Sequence, residues 1–146
     1  MRSPATPLIR EDMNMDENSL SKDIIGAAIE VHKLLGQGLL ESAYSGALAY
    51  EFDLRNIAYE KEKPLPIYYK GKKLEIGFRA DFLVGGLVIV EIKAVSAFTN
   101  EHAGQIMNYL KLSGCRLGLL LNFHAPQLRL GLRRIVNNLI EPETLS

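Results

Sequence analysis

The stretch that decides the fold runs Asp81-Phe-Leu-Val-Gly-Gly-Leu-Val-Ile-Val-Glu91-Ile-Lys93. From Leu87 to Val90 its residues are apolar on both side-chain parities, which is typical of a central strand that is covered on both faces. Glu91 and Lys93 follow two residues apart, so their side chains share one face of that strand. An acid in an apolar strand is costly unless its charge is neutralised. The stretch therefore predicts a functional site as well as a strand.

Two amphipathic helices are predicted upstream of this stretch. Apolar residues recur at steps of three and four from Leu20 to Leu35 and again from Leu40 to Arg55, which is the spacing of one buried helix face. Residues 1–18 show no such periodicity and are predicted to be a flexible N-terminal tail. The single domain is accordingly expected to span residues 19–146.

The other elements are mostly strands, because β-branched and aromatic residues dominate between the turns. One further helix is predicted after the central strand. Thr99 or Asn100 can cap its first turn, and Gly114 ends it. The predicted strands cover 57–62, 65–70, 73–84, 87–94, 117–123 and, as a final edge strand, 128–133.

The composition indicates one globular domain. The chain has 146 residues, of which 47% are hydrophobic and 23% are charged, as in ordinary soluble proteins. No apolar run reaches the roughly 20 residues that a membrane helix needs, and the N-terminus lacks an apolar signal core. We therefore expect a cytoplasmic protein. The single cysteine, Cys115, has no partner for a disulfide and no Cys or His at zinc-finger spacing.

The charges are balanced overall but unevenly distributed. A formal net charge of zero argues against a strong non-specific nucleic-acid binder. However, the segment from Arg55 to Arg79 contains seven basic and three acidic residues. The segment from Lys111 to Arg134 contains five basic residues and no acidic one. These segments could line a track for phosphates, or they could be solvated faces of strands and helices. The sequence favours neither interpretation over the other.

Asp81, Glu91 and Lys93 suit phosphodiester hydrolysis. Carboxylate oxygens at this spacing are ligands that Mg²⁺ or Mn²⁺ accepts, and the metal would lower the pKa of a bound water. The Lys93 ammonium could hold that water or neutralise charge in the transition state. The alternative is an ion pair between Glu91 and Lys93 at the end of the sheet, with Asp81 an ordinary acid near a turn.

Four further residues are candidates for the same site, each with a structural alternative. Gln105 and Tyr109 lie four apart on one side of a helix and could contact metal-bound water, phosphate or a base, or be a capping amide and a half-buried aromatic. Glu41 begins the second helix. The helix dipole alone could explain an anion there, and the alternative is that Glu41 is a further metal-binding carboxylate. His32 lies on the apolar side of the first helix. It is either a hydrogen-bonded core histidine or a metal ligand.

Taken together, four motifs resemble the GxxExxY proteins, which are small proteins of bacteria and archaea. The motifs are Gly38-Leu-Leu-Glu41-Ser-Ala-Tyr44, the stretch from Asp81 to Ala94, Gln105-Ile-Met-Asn-Tyr109-Leu-Lys and Gly118-Leu-Leu-Leu-Asn122-Phe123. The resemblance covers nearly all of residues 20–140, and that family is placed in the PD-(D/E)XK nuclease-like superfamily. It implies an α/β fold with a restriction-endonuclease-like core, a mixed four-stranded central sheet flanked by helices.

The resemblance also implies a role for each polar motif residue. The implied metal-binding or metal-orienting groups are Glu41, Asp81, Glu91 and, as an extra ligand, His32. The implied groups for water and phosphate are Lys93, Gln105 and Tyr109. We further expect the first three acids to converge on one Mg²⁺ or Mn²⁺ ion together with the main-chain carbonyl of Ile92. Ala80 stands where the superfamily name has proline, a position at which many members vary.

These residues together predict a metal-dependent nuclease that hydrolyses DNA, at ends, flaps or single strands. One rival is a non-catalytic module that binds nucleic acid or protein and has kept the fold, since fold alone does not give function. A second rival is a small-molecule binder or a subunit of a larger assembly. DNA is the expected partner, membrane contact is not expected, and a homo-oligomer is left open.

The turn at 85–86 provides a test of this interpretation. Two glycines favour a two-residue type I′ hairpin, which would pair Asp81 with Val90 and turn Asp81 and Glu91 to opposite faces. A shared metal site could not then form. The chemistry therefore predicts a loop of odd length, or a bulge, between Val84 and Val88.

Overall fold

The computed structural model describes the backbone of residues 9–139 and the side chains of residues 17–139. No helix in this part of the chain combines the length and apolarity needed to span a bilayer. The cytoplasmic location stays a prediction. The helices are α1 (Ile9–Leu35), α2 (Glu41–Leu54) and α3 (Asn100–Ser113), with a short 3-10 turn at Leu128–Gly131. The strands are β1 (Tyr59–Pro64), β2 (Ile67–Tyr69), β3 (Lys72–Leu74), β4 (Arg79–Val84), β5 (Val88–Lys93), β6 (Leu117–Asn122) and β7 (Leu132–Val136).

Five of the strands form one mixed sheet in the order β1-β4-β5-β6-β7. β5 and β6 are parallel and are joined through α3, while the neighbouring pairs are antiparallel. β5 is central and buried on both faces, as its sequence predicted. The predicted α/β class, a mixed central sheet flanked by helices as in the restriction-endonuclease-like core, is confirmed, with one strand more than the four implied.

The two faces of the sheet pack against different helices. Val88, Val90 and Ile92 belong to the core on the side of α1 and α2, whereas Ile89 packs with Ile106 of α3. Side chains alternate along a strand, so Glu91 falls on the same side as Ile89. The polar end of β5 therefore faces the helix that carries the predicted glutamine and tyrosine.

The loop between β4 and β5 has three residues, Gly85, Gly86 and Leu87, because Val84 pairs with Val88. Both glycines have left-handed φ angles, 59° and 70°, and the Leu87 N–H donates to the Val84 carbonyl at 3.0 Å. These features indicate a type I′ turn with Leu87 as one extra residue. The predicted odd-length loop is confirmed.

Helix α1 begins at Ile9 rather than at Leu20, so it runs into the predicted flexible tail. Glu17 on this extension is 1% exposed, and its Oε1 accepts from Arg116 Nη2 at 2.7 Å. Because Arg116 lies 99 positions further along the chain, helical periodicity could not reveal this contact. Residues 1–8 and 140–146 lie outside the described residues, and the domain bounds stay a prediction.

Two strand predictions are wrong in detail. The strand predicted at 73–84 is divided into β3 and β4, which belong to different sheets. Between them Ile76 N–H donates to the Leu74 carbonyl and Phe78 N–H to that of Ile76, so the chain bends tightly twice. The edge strand predicted at 128–133 begins only at Leu132. Residues 128–131 form the 3-10 turn, which buries Leu128 and leaves Leu130 62% exposed.

Two glycine substitutions are expected to change stability in opposite directions. A Cβ at Gly118 of β6 would lie 2.8 Å from Ile106 Cδ1, whereas a Cβ at Gly46 of α2 would meet nothing within 4 Å. Gly118→Ala should therefore cost about 1–3 kcal/mol of unfolding free energy through overpacking. Gly46→Ala should add about 0.5–1 kcal/mol, because glycine weakens a helix interior. Urea unfolding measures both, and destabilisation by Gly46→Ala would contradict the packing described.

Candidate functional site

Asp81 and Glu91 meet across β4 and β5, because the three-residue loop sets them opposite each other. The Asp81 N–H donates to Glu91 Oε2 at 2.6 Å, and the Ile92 N–H donates to Asp81 Oδ2 at 2.8 Å. Glu91 is 3% exposed, and Asp81 is half-buried. The strands thus hold two carboxyl groups side by side in a place where water can compensate little of their charge.

This proximity raises the pKa of both acids. Burial, followed by the charge of Asp81, raises the pKa of Glu91 from 4.5 to about 8. Burial is also the largest cause of the raised pKa of Asp81, to which Glu41 and Glu62 add. The hydrogen bonds from main-chain N–H groups and the charge of Lys93 act in the opposite direction but are outweighed. Such a pair favours either a shared proton or a cation.

Lys93, Gln105 and Tyr109 lie beside this pair. Lys93 Nζ donates to Gln105 Oε1 at 3.4 Å. Tyr109 is buried, and after its burial the charges of Glu91 and Asp81 raise the pKa of its hydroxyl, while a hydrogen bond with Gln105 lowers it. Gln105 does not cap α3, because Thr99 does so. The structure therefore brings both motif residues of α3 to the predicted acids.

Glu41 lies at the first turn of α2, where its Oε2 accepts from the Ala94 N–H at 3.1 Å. It lines a cleft of about 240 Å³ together with Asp81 and Ile92, the residue whose main-chain carbonyl was predicted as a ligand. The other lining residues are Ser42, Ser45, Lys61 and Glu62. Glu91, which is 3% exposed, is not among the lining residues.

Tyr44 holds the segment that leads into α2. Its hydroxyl donates to the Gly36 carbonyl at 2.6 Å and accepts from the Leu39 N–H at 3.2 Å. Its ring stacks on Phe123, with centroids 4.6 Å apart, and the Phe123 N–H donates to the Lys93 carbonyl. Tyr44 thus positions Glu41 relative to the end of β5.

The donor set suits a hard divalent cation, although the acids do not yet surround a common point. Within residues 17–139, no three Asp, Glu, His or Cys side chains are arranged to hold a metal ion. Each predicted acid instead accepts from a main-chain N–H, which compensates its charge. The oxygens of Glu41, Asp81 and Glu91 are nevertheless the hard ligands that Mg²⁺ or Mn²⁺ binds. Their joint binding of one ion stays a prediction.

His32 is not brought to this cleft. Its Nε2 lies 2.8 Å from the Ala125 carbonyl, and its ring is 6.1 Å from that of Phe123. It lines a separate cavity of about 460 Å³ that none of the three acids lines. The geometry favours the hydrogen-bonded core histidine over the ligand, because a main-chain carbonyl occupies its Nε2.

Sequence reasoning missed Glu62, which the structure places opposite Asp81. The pairs Lys61–Phe82 and Lys63–Ala80 set this register, and Glu62 has a left-handed φ of 54°, which costs energy for a residue other than glycine. Its charge contributes to the raised pKa of Asp81. Alternating charges in β1 looked like an ordinary solvated strand, so no sequence signal marked it.

Asn122 lies in one of the four motifs, but no role for it was predicted from the sequence. It is 5% exposed, its Oδ1 accepts from the N–H groups of Val95 and His124 at 3.1 Å each, and its Nδ2 donates to the Val95 carbonyl at 2.8 Å. The amide thereby fixes the chain just beyond Lys93. The sequence signal that could have indicated this role is a polar residue directly after the apolar strand run Leu117 to Leu121.

Replacing Asn122 by alanine is expected to lower the free energy of unfolding by about 1–3 kcal/mol, because buried main-chain groups lose their partners. The exposed Asn108 of α3 offers a control, since its replacement by alanine should change stability by less than about 0.5 kcal/mol or increase it slightly. Chemical denaturation compares the two variants. Equal stabilities would show that the Asn122 amide does not hold this segment.

The family model described as the PD-(D/E)XK nuclease superfamily matches residues 18–135. The chain belongs to the PD-(D/E)XK nuclease superfamily. The matched range includes every residue of the acid pair, the lysine and the α3 motif. Nucleases of this superfamily generally use divalent metals, which agrees with the oxygen-rich cleft. No curated protein and no solved structure matches the chain, and the finer resemblance to the GxxExxY proteins stays a prediction.

Proposed function

We propose that this PD-(D/E)XK protein is a Mg²⁺- or Mn²⁺-dependent nuclease that hydrolyses phosphodiester bonds of DNA at ends or single strands. The observation that carries the proposal is the pairing of Asp81 with Glu91, with Lys93 two residues further along the same strand. A pair of acids with raised pKa values is costly to maintain in a core. A protein that only binds nucleic acid does not need it, which disfavours the non-catalytic module.

The chain's own groups divide the work. Asp81, Glu91 and Glu41 would hold the ion, which supplies an activated water and neutralises charge on the phosphate. Lys93, held by Gln105, can orient the attacking water or stabilise the negative charge that develops on the phosphate oxygens. The Tyr109 hydroxyl, beside the same acids, can donate to a phosphate oxygen.

A cleavage assay with purified protein tests the proposal. Labelled single-stranded, duplex and flapped DNA are incubated with Mg²⁺, with Mn²⁺, or with a chelator, and the products are separated by size. We expect cleavage with either ion and none with the chelator. Absence of cleavage with both ions, in a protein that binds them by calorimetry, would favour the non-catalytic module instead.

A further inference from the structure

A second, smaller sheet stands outside the main one. β2 and β3 pair antiparallel as a hairpin, whose turn residues Lys70 and Gly71 have left-handed φ angles of 49° and 82°. The hairpin leaves the main sheet between the end of β1 and the start of β4. Because β4 and β5 are antiparallel, this is the sheet end at which Glu91 and Lys93 lie.

The hairpin exposes aromatic rings next to positive charges. Tyr68 is 63% exposed and Tyr69 is 60% exposed. Tyr68 pairs with Lys73 and Tyr69 with Lys72, and Lys70 Nζ lies 5.4 Å from the centroid of the Tyr69 ring. From residue 67 to 79 the chain carries four basic residues and one acidic residue, a net charge of +3. A chain with zero net charge thus concentrates positive charge here.

A groove joins the hairpin to the candidate active site. Ile67 and Phe78 line one wall and Gln105, Asn108 and Tyr109 of α3 line the other, around about 630 Å³. The rings of Phe78 and Tyr109 are 6.4 Å apart. Since Gln105 is the hydrogen-bond partner of Lys93, one end of the groove reaches the proposed hydrolytic site.

We propose that the β2–β3 hairpin and this groove bind a single-stranded polynucleotide and lead it to Lys93. Unpaired bases offer both faces for stacking on tyrosine rings, whereas the bases of a duplex already stack on each other, and the lysines that pair with the two tyrosines across the hairpin can bind the phosphates. The delivery to Lys93 rests on the proposed function. Binding by the hairpin is tested independently of it.

The test uses fluorescence anisotropy of labelled oligo(dT), oligo(U) and duplex DNA with the Lys93→Ala protein in a chelator, so that cleavage does not interfere. Adding Tyr68→Ala and Tyr69→Ala together should weaken binding of a single strand by at least about tenfold, the usual effect of losing one stacked ring, and of duplex much less. Tyr68→Phe with Tyr69→Phe keeps the rings and should retain the affinity. Tyr50, 65% exposed on α2, is the matched control, and Tyr50→Ala should bind like the parent.

The role of the hairpin lysines is tested by the salt dependence of single-strand binding. Lys72→Gln with Lys73→Gln should reduce the slope of log affinity against log salt by about 1.4, that is about 0.7 for each single-strand phosphate contact. A loss with oligo(dT), with oligo(U) or with both, and not with duplex, supports the proposal. The proposal is overturned if the variant with Tyr68→Ala and Tyr69→Ala binds single strands as tightly as the parent, or if it loses as much affinity for duplex. If that variant loses binding while the unmodified protein cleaves nothing, the hairpin assignment stands and the nuclease assignment fails.

Discussion

Lys93→Ala is expected to lower the rate of DNA cleavage about 100- to 1000-fold, the usual loss when one group that stabilises transition-state charge is removed. Its fold should persist, because Lys93 is partly exposed and its hydrogen bond goes to the exposed Gln105. Single-turnover cleavage with saturating Mg²⁺ measures the rate, and circular dichroism checks the fold. Lys22→Ala, at an exposed position of α1, is the control and should cleave normally.

Asp81→Asn separates catalysis from ion binding. It removes a charge from the proposed ligand set, so it should weaken Mg²⁺ binding in calorimetry as well as slow cleavage, whereas Lys93→Ala should leave Mg²⁺ affinity similar or tighter. Normal cleavage by the Lys93→Ala protein would remove the catalytic role of Lys93. Normal Mg²⁺ affinity of the Asp81→Asn protein would remove Asp81 from the ion site.

The second large effect concerns pH. The folded chain retains the Glu91 proton up to about pH 8, whereas the unfolded chain releases it near its ordinary pKa of 4.5. Between these values the folded state binds more protons, so without metal the free energy of unfolding should fall as pH rises through this window. Replacing Glu91 by glutamine should remove this dependence of stability on pH. Above the pH window the variant should be more stable than the parent, by on the order of a few kcal/mol.

Thermal or urea unfolding across this pH range, in a chelator, measures the effect for the parent and for the Glu91→Gln variant. The variant keeps an oxygen that can accept from the Asp81 N–H. Mg²⁺ binding below pH 8 should also release a proton in the parent, seen as a dependence of the binding heat on the buffer. Identical pH profiles for the two proteins would show that Glu91 does not hold the proton.

The sequence was sufficient where burial and polarity acted together. Leu87 to Val90 are apolar on both parities, which identified the central strand, and the need to keep Asp81 and Glu91 on one face predicted an odd loop length against the simplest turn. Those inferences rest on neighbours in the chain. Lys93 and Gln105 both lie in motifs, so the sequence predicted them for one site, but the hydrogen bond between them was not predicted.

Contacts between distant parts of the chain escaped prediction. The salt bridge of Glu17 with Arg116 stabilises the extra turns of α1, and no local sequence pattern predicts it. The hairpin of β2 and β3 was predicted as strands, but its separation from the main sheet depends on bends that have no marked periodicity. His32 has the same local pattern as a ligand or as a core residue, and only the Ala125 carbonyl distinguishes them.

The three-residue loop makes function and stability depend on the same chain-length parity. Removing one residue between Val84 and Val88 would turn Asp81 away from Glu91, but it would also turn Phe82 and Val84, both fully buried, out of the core. Substitutions within the loop leave this parity unchanged. Selection against unfolded protein would therefore eliminate single-residue insertions and deletions here even in a lineage that no longer needed the chemistry, so the register that sets positions 81 and 91 opposite each other can outlast the activity, whichever residues occupy those positions.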